Sequence, residues 1–200
     1  VDTSDEWITK RTGIKQRRLL DDDTPAYTLG AEAARFAIDN AGIAPMDIDL
    51  IIVTTETPDY LTPSTACLIQ KEIGAGNASA FDINAACTGF VYAMTIAQQF
   101  IISGYYRYVL IVSCEGLSRV VDWKNRNTCI LFGDGAGAVV LGRVNNNYGI
   151  RESYLASHGE LGGCLTLPCC HISDEDRERR REGMERSIWQ DGSEVFTFAV

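Results

Sequence analysis

Ala80-Phe81-Asp82-Ile83-Asn84-Ala85-Ala86-Cys87-Thr88-Gly89-Phe90 is the stretch that decides the fold. Its front belongs to a short apolar run, Ala78 to Ile83, of strand length. Its end opens Thr88 to Ser103, a run of helical length stopped by Gly104. A strand that passes directly into a helix is half of a βαβ unit, so the neighbouring segments should alternate in the same way.

They do. Upstream, Leu50-Ile51-Ile52-Val53-Thr54-Thr55 is a continuous apolar, β-branched run, the pattern of a strand buried on both faces. A helix opens at Pro63-Ser64, carries Ala66, Leu68, Ile69 and Ile73, and stops at Gly74. An earlier one has Thr24 as expected N-cap, Pro25 at its first position and Gly42 as left-handed C-cap. Downstream, Tyr108–Ser113 and Ala136–Val144 read as two more strands. The chain is therefore α/β with a mainly parallel sheet. The 88–103 helix is apolar nearly all round, which predicts burial between layers; this chain supplies only one sheet to cover it.

Beyond Val144 the pattern weakens. Asn145 to Gly149 reads as a turn. Asp174 to Arg186 is densely charged with both signs, and reads as a solvated helix face laced with local ion pairs. The chain opens without Met and ends in an apolar stretch, which reads as a piece of a longer protein.

Eighteen basic against 27 acidic residues give a net charge of −9. This argues against nucleic-acid binding, which needs a basic face. No apolar run approaches the roughly 18 residues of a membrane span. The seven cysteines are odd in number, and four lie in apolar segments, as expected of reduced thiols in a cytoplasmic protein rather than a disulfide scaffold. Cys164, Cys169, Cys170 and His171 cluster, but in no standard zinc spacing, so no metal site is assigned.

Cys87 is the candidate nucleophile. It lies where a strand ends and a helix begins, the region where open α/β sheets gather ligands. A helix N-terminus lowers a thiol pKa and offers backbone N–H groups to an oxyanion. Ala85, Ala86 and Gly89 leave room for a substrate carbonyl. Taken alone, a cysteine in such a segment is more often structural; the surrounding sequence reverses that preference.

Asp82 to Phe90 resembles the active-site segment of β-ketoacyl-acyl-carrier-protein synthase III, a family of thiolase-like condensing enzymes with a layered αβαβα fold. Val1–Ile8 with Arg11–Ile14, Pro63–Cys67, Phe132–Ala138 and Leu165–Pro168 resemble further segments of that family, in matching order. The resemblance implies that residues 1–145 are the N-terminal half carrying the nucleophile. Residues 146–200 would be a connector and the start of a C-terminal half. It implies acyl transfer from coenzyme A to Cys87, then condensation with malonyl-acyl carrier protein to initiate fatty-acid synthesis. No metal or redox cofactor is implied, and a homodimer is. Related condensing enzymes build polyketides and other secondary metabolites, and a fragment that only binds coenzyme A or carrier protein is a further alternative.

The resemblance also implies a coenzyme A site: Trp7 stacked on the adenine with Arg126 on its other side, Thr3 hydrogen-bonded to the base, Arg11 on a phosphate. Asn125 and Asn127 depart from the Asp and Gly that flank the family's Arg. Phe132 would line the acyl pocket, with a core role as the alternative. Gly133-Asp134-Gly135 reads as a tight turn beside the site; because a strand follows it, a dinucleotide loop is rejected. The family's catalytic His and Asn come from its second half. His158 and His171 fit no such motif; His158 reads as a loop residue.

Overall fold

A computed structural model describes residues 1–145 and 148–199. Asn146 and Asn147, inside the expected turn, lie outside the described residues, as does Val200. In chain order the elements are α1 (Asp5–Thr12), α2 (Tyr27–Ala41), β1 (Leu50–Thr54), α3 (Thr65–Ile73), β2 (Ser79–Ile83), α4 (Gly89–Ile102), β3 (Tyr108–Gly116), α5 (Arg126–Cys129) and β4 (Asp134–Gly142). They continue with β5 (Leu165–Thr166), α6 (Asp174–Arg179), β6 (Trp189–Gln190) and α7 (Gly192–Ala199). The chain divides into two compact units.

One unit comprises Leu20–Gly116 and Asp134–Leu155. Its sheet runs β2-β1-β3-β4; β1 is parallel to both neighbours and β4 is antiparallel to β3. The period-2 alternation of β1 builds two cores. Ile51 and Val53 face Ala31, Ala34 and Ile38 of α2 and Ala66, Ile69 and Ile73 of α3. Leu50 and Ile52 face Ala93, Ala97 and Ile101 of α4. Both faces of the central strands are thus covered, which is why β1 reads as unbroken apolar sequence.

Three expectations change in detail. The N-cap position of α2 is Ala26 rather than Thr24, and the carboxylate of Asp59 accepts from the N–H groups of Ala26 and Tyr27, both at 2.9 Å, so a distant acid serves the helix start. Gly133–Gly135 is not a tight turn, because β4 already begins at Asp134. And α4 is not covered all round. Gly89, Ala93, Ala97 and Ile101 form a buried i, i+4 stripe, while Phe90, Val91 and Ile102 are 39%, 46% and 62% exposed.

The other unit comprises Val1–Leu19, Leu117–Gly133 and Ala156–Val200. Ile8, Val121, Cys129, Ile130 and Ile188 form its small core, with Trp7 and Phe132 packed on it. Arg180 is buried, contrary to the solvated face expected of its charged segment. Its guanidinium pairs with Asp176 at 2.7 Å and donates to the carbonyls of Ser187 and Thr166. Buried charge survives only when paired and hydrogen-bonded in this way. Among the described residues, no helix is long and apolar enough to cross a membrane.

Candidate active site

Beyond Ile83, the last residue of β2, the backbone turns sharply. Ala86 has φ +49°, left-handed for a residue with a side chain, and Ala86–Thr88 form a single 3-10 turn before α4. Thr88 Oγ1 donates to the carbonyl of Ala85 at 2.8 Å and pins the turn. Cys87 rides at its crest, exposed to solvent. Strain of this kind collects where a chain must aim a functional side chain.

The thiol departs from expectation. Its pKa is raised, first because surrounding protein displaces water from the exposed residue's sulfur, then because of the carboxylate of Glu56. The backbone N–H of Cys87 itself pulls the other way, as a helix N-terminus should, but is outweighed; Glu115 adds a smaller upward push. At neutral pH Cys87 therefore rests as a thiol, and attack requires the proton to leave.

Glu56 follows the carboxyl end of β1, the neighbour of β2, and Glu115 sits near the carboxyl end of β3, one strand further on. Glu115, in β3, accepts from the N–H of Glu56 at 2.8 Å, from the N–H of Thr57 at 3.1 Å and from the hydroxyls of Thr57 and Thr55. Burial raises its pKa against those hydrogen bonds. Burial and then Glu115 raise that of Glu56. Sequence reading missed both residues: Glu56 lies in a polar loop and Glu115 in an apolar strand, and neither belongs to a motif.

The expected nucleotide-binding residues lie in the other unit, and the structure brings three of them together. The guanidinium of Arg11 is 4.1 Å from the centre of the Trp7 ring and that of Arg126 is 4.5 Å from it. Arg126 also donates to the carbonyl of Asp2 at 2.9 Å. The neighbouring Thr3 has a buried hydroxyl without a hydrogen-bond partner. Two cations on one indole make a flat, electropositive spot suited to an aromatic, anionic ligand.

Arg126 also lines a cleft of about 390 Å³ with Asp122, Lys124, Arg179 and Arg181, so cations outnumber the single acid among these residues. A second cleft in the same unit, about 750 Å³, runs along Ile130, Leu131, Trp189 and Phe196. The signal for the first was Arg179-Arg180-Arg181, read as solvated charge. Phe132 packs on the core of this unit. Gly133 is needed for close approach: a Cβ there would lie 3.0 Å from the carbonyl of Arg18.

The Cys164–His171 stretch scatters. Cys164 donates to Glu194 at 3.0 Å, and the sulfurs of Cys169 and Cys170 are 3.7 Å apart. Among the described residues, no three His, Cys, Asp or Glu side chains converge as a metal site would require. His158 is exposed in a loop, 3.3 Å from Glu160.

A largely parallel sheet flanked by helices, with a cysteine raised on the strained turn between β2 and its helix, defines the thiolase-fold class. Residues 81–159 match the family described as 3-oxoacyl-[acyl-carrier-protein (ACP)] synthase III. A β-ketoacyl-[acyl-carrier-protein] synthase III of Caldanaerobacter subterraneus subsp. tengcongensis is 50% identical over 200 residues, all of this chain and 60% of that protein. The crystal structure of the Aquifex aeolicus 3-oxoacyl-[acyl-carrier-protein] synthase III superposes with a TM-score of 0.87 at 43% identity, over 98% of this chain and 59% of that one. The priming β-ketosynthase of the R1128 polyketide pathway superposes at 0.84 with 36% identity, over 99% and 58%. Along its whole length the chain is similar to β-ketoacyl-[acyl-carrier-protein] synthase III proteins, and residues 81–159 carry the match to that family's description. It spans about 60% of the length of the curated relatives it matches.

Proposed function

We propose that this chain is the acyl-receiving part of a cytoplasmic, homodimeric enzyme that initiates fatty-acid synthesis. Residues 1–145 carry the nucleophile and 146–200 lead into a second half. The Cys87 sulfur attacks the carbonyl of an acyl-coenzyme A primer such as acetyl-coenzyme A, and the coenzyme departs as its thiol. Malonyl-acyl carrier protein then loses CO₂. The resulting carbanion attacks the acyl-Cys87 thioester, forms the new C–C bond and releases the sulfur. These steps balance without a redox cofactor or metal.

The observation that carries this reading is the exposed position of Cys87 on the strained Ala86 turn, inside the segment that matches the family. Support for the coenzyme comes from the Trp7–Arg11–Arg126 cluster, the unpartnered Thr3 hydroxyl and the cationic cleft beside Arg126. Phe132, packed in the core of its unit, is left as a candidate for the acyl pocket.

A second reading rests on the likeness to the R1128 priming β-ketosynthase: the same chemistry with a primer destined for a secondary metabolite. One assay addresses both. The full-length protein, second half included, is supplied with malonyl-acyl carrier protein and a panel of acyl-coenzyme A primers of increasing length and branching. Formation of β-ketoacyl product from acetyl-coenzyme A, lost in Cys87→Ala, is expected. Product only from bulkier primers favours the second reading. Coenzyme A binding with no product from any primer means a binding chain rather than an enzyme.

A further inference from the structure

Glu115 is saturated with donors, but Glu56 is not. Glu56 Oε1 is buried and has no hydrogen-bond partner. A buried carboxylate oxygen without a donor is costly, and such atoms persist where their lone pair is used. Its place in the fold says by what. Glu56 lies two residues beyond β1, and Cys87 lies four beyond β2, its parallel neighbour. The final register pair of these strands is Thr54 with Ile83, and the N–H of Thr55 donates to the carbonyl of Ile83 at 3.4 Å. Both residues therefore lie just beyond the carboxyl ends of adjacent parallel strands.

The charged neighbours of Cys87 there are the two carboxylates, Glu56 and Glu115. Glu115 spends its oxygens on Thr55, Glu56 and Thr57. Glu56 keeps one oxygen unspent, and its pKa is raised toward neutrality, where a general base works best.

We propose that Glu56 is the proton acceptor for Cys87 during acylation. The inference rests on the acyl-transfer reading above. The Glu56 carboxylate takes the S–H proton as the sulfur forms its bond to the acyl carbon. The bond from that carbon to the coenzyme sulfur breaks with its electron pair. The departing thiolate takes the proton back, leaving acyl-Cys87, free thiol and a carboxylate.

Two reactions of the same sulfur separate this role from a structural one. Acylation by acetyl-coenzyme A needs the proton relay. Alkylation by iodoacetamide needs only thiolate, and removing a neighbouring negative charge raises the thiolate fraction. In Glu56→Gln, acylation should fall about a hundredfold while alkylation at neutral pH holds or quickens. Glu56→Asp, which keeps the base on a shorter arm, should acylate faster than the Gln variant. Should the Gln variant not fold, the Asp variant decides: slowed acylation with undiminished alkylation supports the role.

Acylation of the Gln variant within about threefold of the unaltered protein, or parallel loss of both reactions, overturns it; if only the Asp variant folds, its acylation at the unaltered rate does the same. If the unaltered protein is never acylated while Cys87 alkylates normally, the acyl-transfer reading falls and takes this inference with it. Normal acylation of both the unaltered and the Gln protein removes the inference alone.

Discussion

Gly89 stands so close to Thr54 that a Cβ on the glycine would lie 3.1 Å from the threonine Cβ. Thr54 is itself held by a 2.6 Å hydrogen bond between its hydroxyl and that of Ser113, so it has little room to yield. This contact seats the N-terminus of α4, and with it Cys87, against the sheet. Gly89→Ala should gain about 0.5–1 kcal/mol of helix propensity and lose about 1–3 kcal/mol to overpacking. Urea unfolding should show a net loss of roughly 1–2 kcal/mol, and a gain in stability would contradict the packing.

Cys87 should be slow to alkylate at neutral pH. Partial burial and the Glu56 carboxylate raise its pKa, so its rate with iodoacetamide should still climb steeply at pH about 9, where an ordinary thiol of pKa about 8.5 is mostly ionised. Cys114, buried beside Glu115 with its pKa pushed up to about 12, should not react in the folded protein. Peptide mapping of the alkylated protein reads both sites at once.

Asp122 and Arg181 give the smaller unit an acid-sensitive bond. Arg181 donates to Asp122 at 2.9 Å and 3.2 Å, and the N–H of Lys124 at 3.0 Å. The Arg181 hydrogen bond is the main cause of the lowered Asp122 pKa. A carboxylate whose folded pKa is depressed adds stability above its unfolded pKa, about 3.9. That increment is lost as pH falls through the lower, folded value. The stability difference between the unaltered protein and Asp122→Asn should therefore be constant near neutrality and shrink below pH about 4. Urea melts across that range test the sign; a difference that grows in acid would refute it.

Much of the larger unit was legible because its signals are local. The unbroken apolar run of β1, the Gly42 and Gly74 stops and the strand-to-helix passage at Cys87 all appear where expected. What escaped depends on distant residues. Asp59 and Asp82 supply the helix N-termini of α2 and α3, Asp82 accepting from Thr65 and Ala66 at 2.7 Å each, and no spacing rule announces a partner on another element. The sign of the Cys87 shift was misread for the same reason: the helix terminus is visible in sequence, whereas the burial that leads the shift, and then the carboxylate of Glu56 beyond the neighbouring strand, are not. Burial of Arg180 was hidden by the charged residues around it.

Two guanidinium groups, those of Arg11 and Arg126, lie on the Trp7 ring. Cation–π contacts of this kind are worth about 0.5–2 kcal/mol, so Trp7→Ala should weaken coenzyme A binding by about tenfold. Titration calorimetry with coenzyme A gives the number. Unchanged affinity would move the nucleotide site away from this cluster.

The most direct test of the account is intact mass spectrometry of the protein after exposure to acetyl-coenzyme A, beside Cys87→Ala. The account predicts a gain of one acetyl group on the unaltered protein and none on the variant. Equal labelling of both, or no labelling of either by acetyl or longer acyl donors, would contradict Cys87 as the acyl-accepting nucleophile.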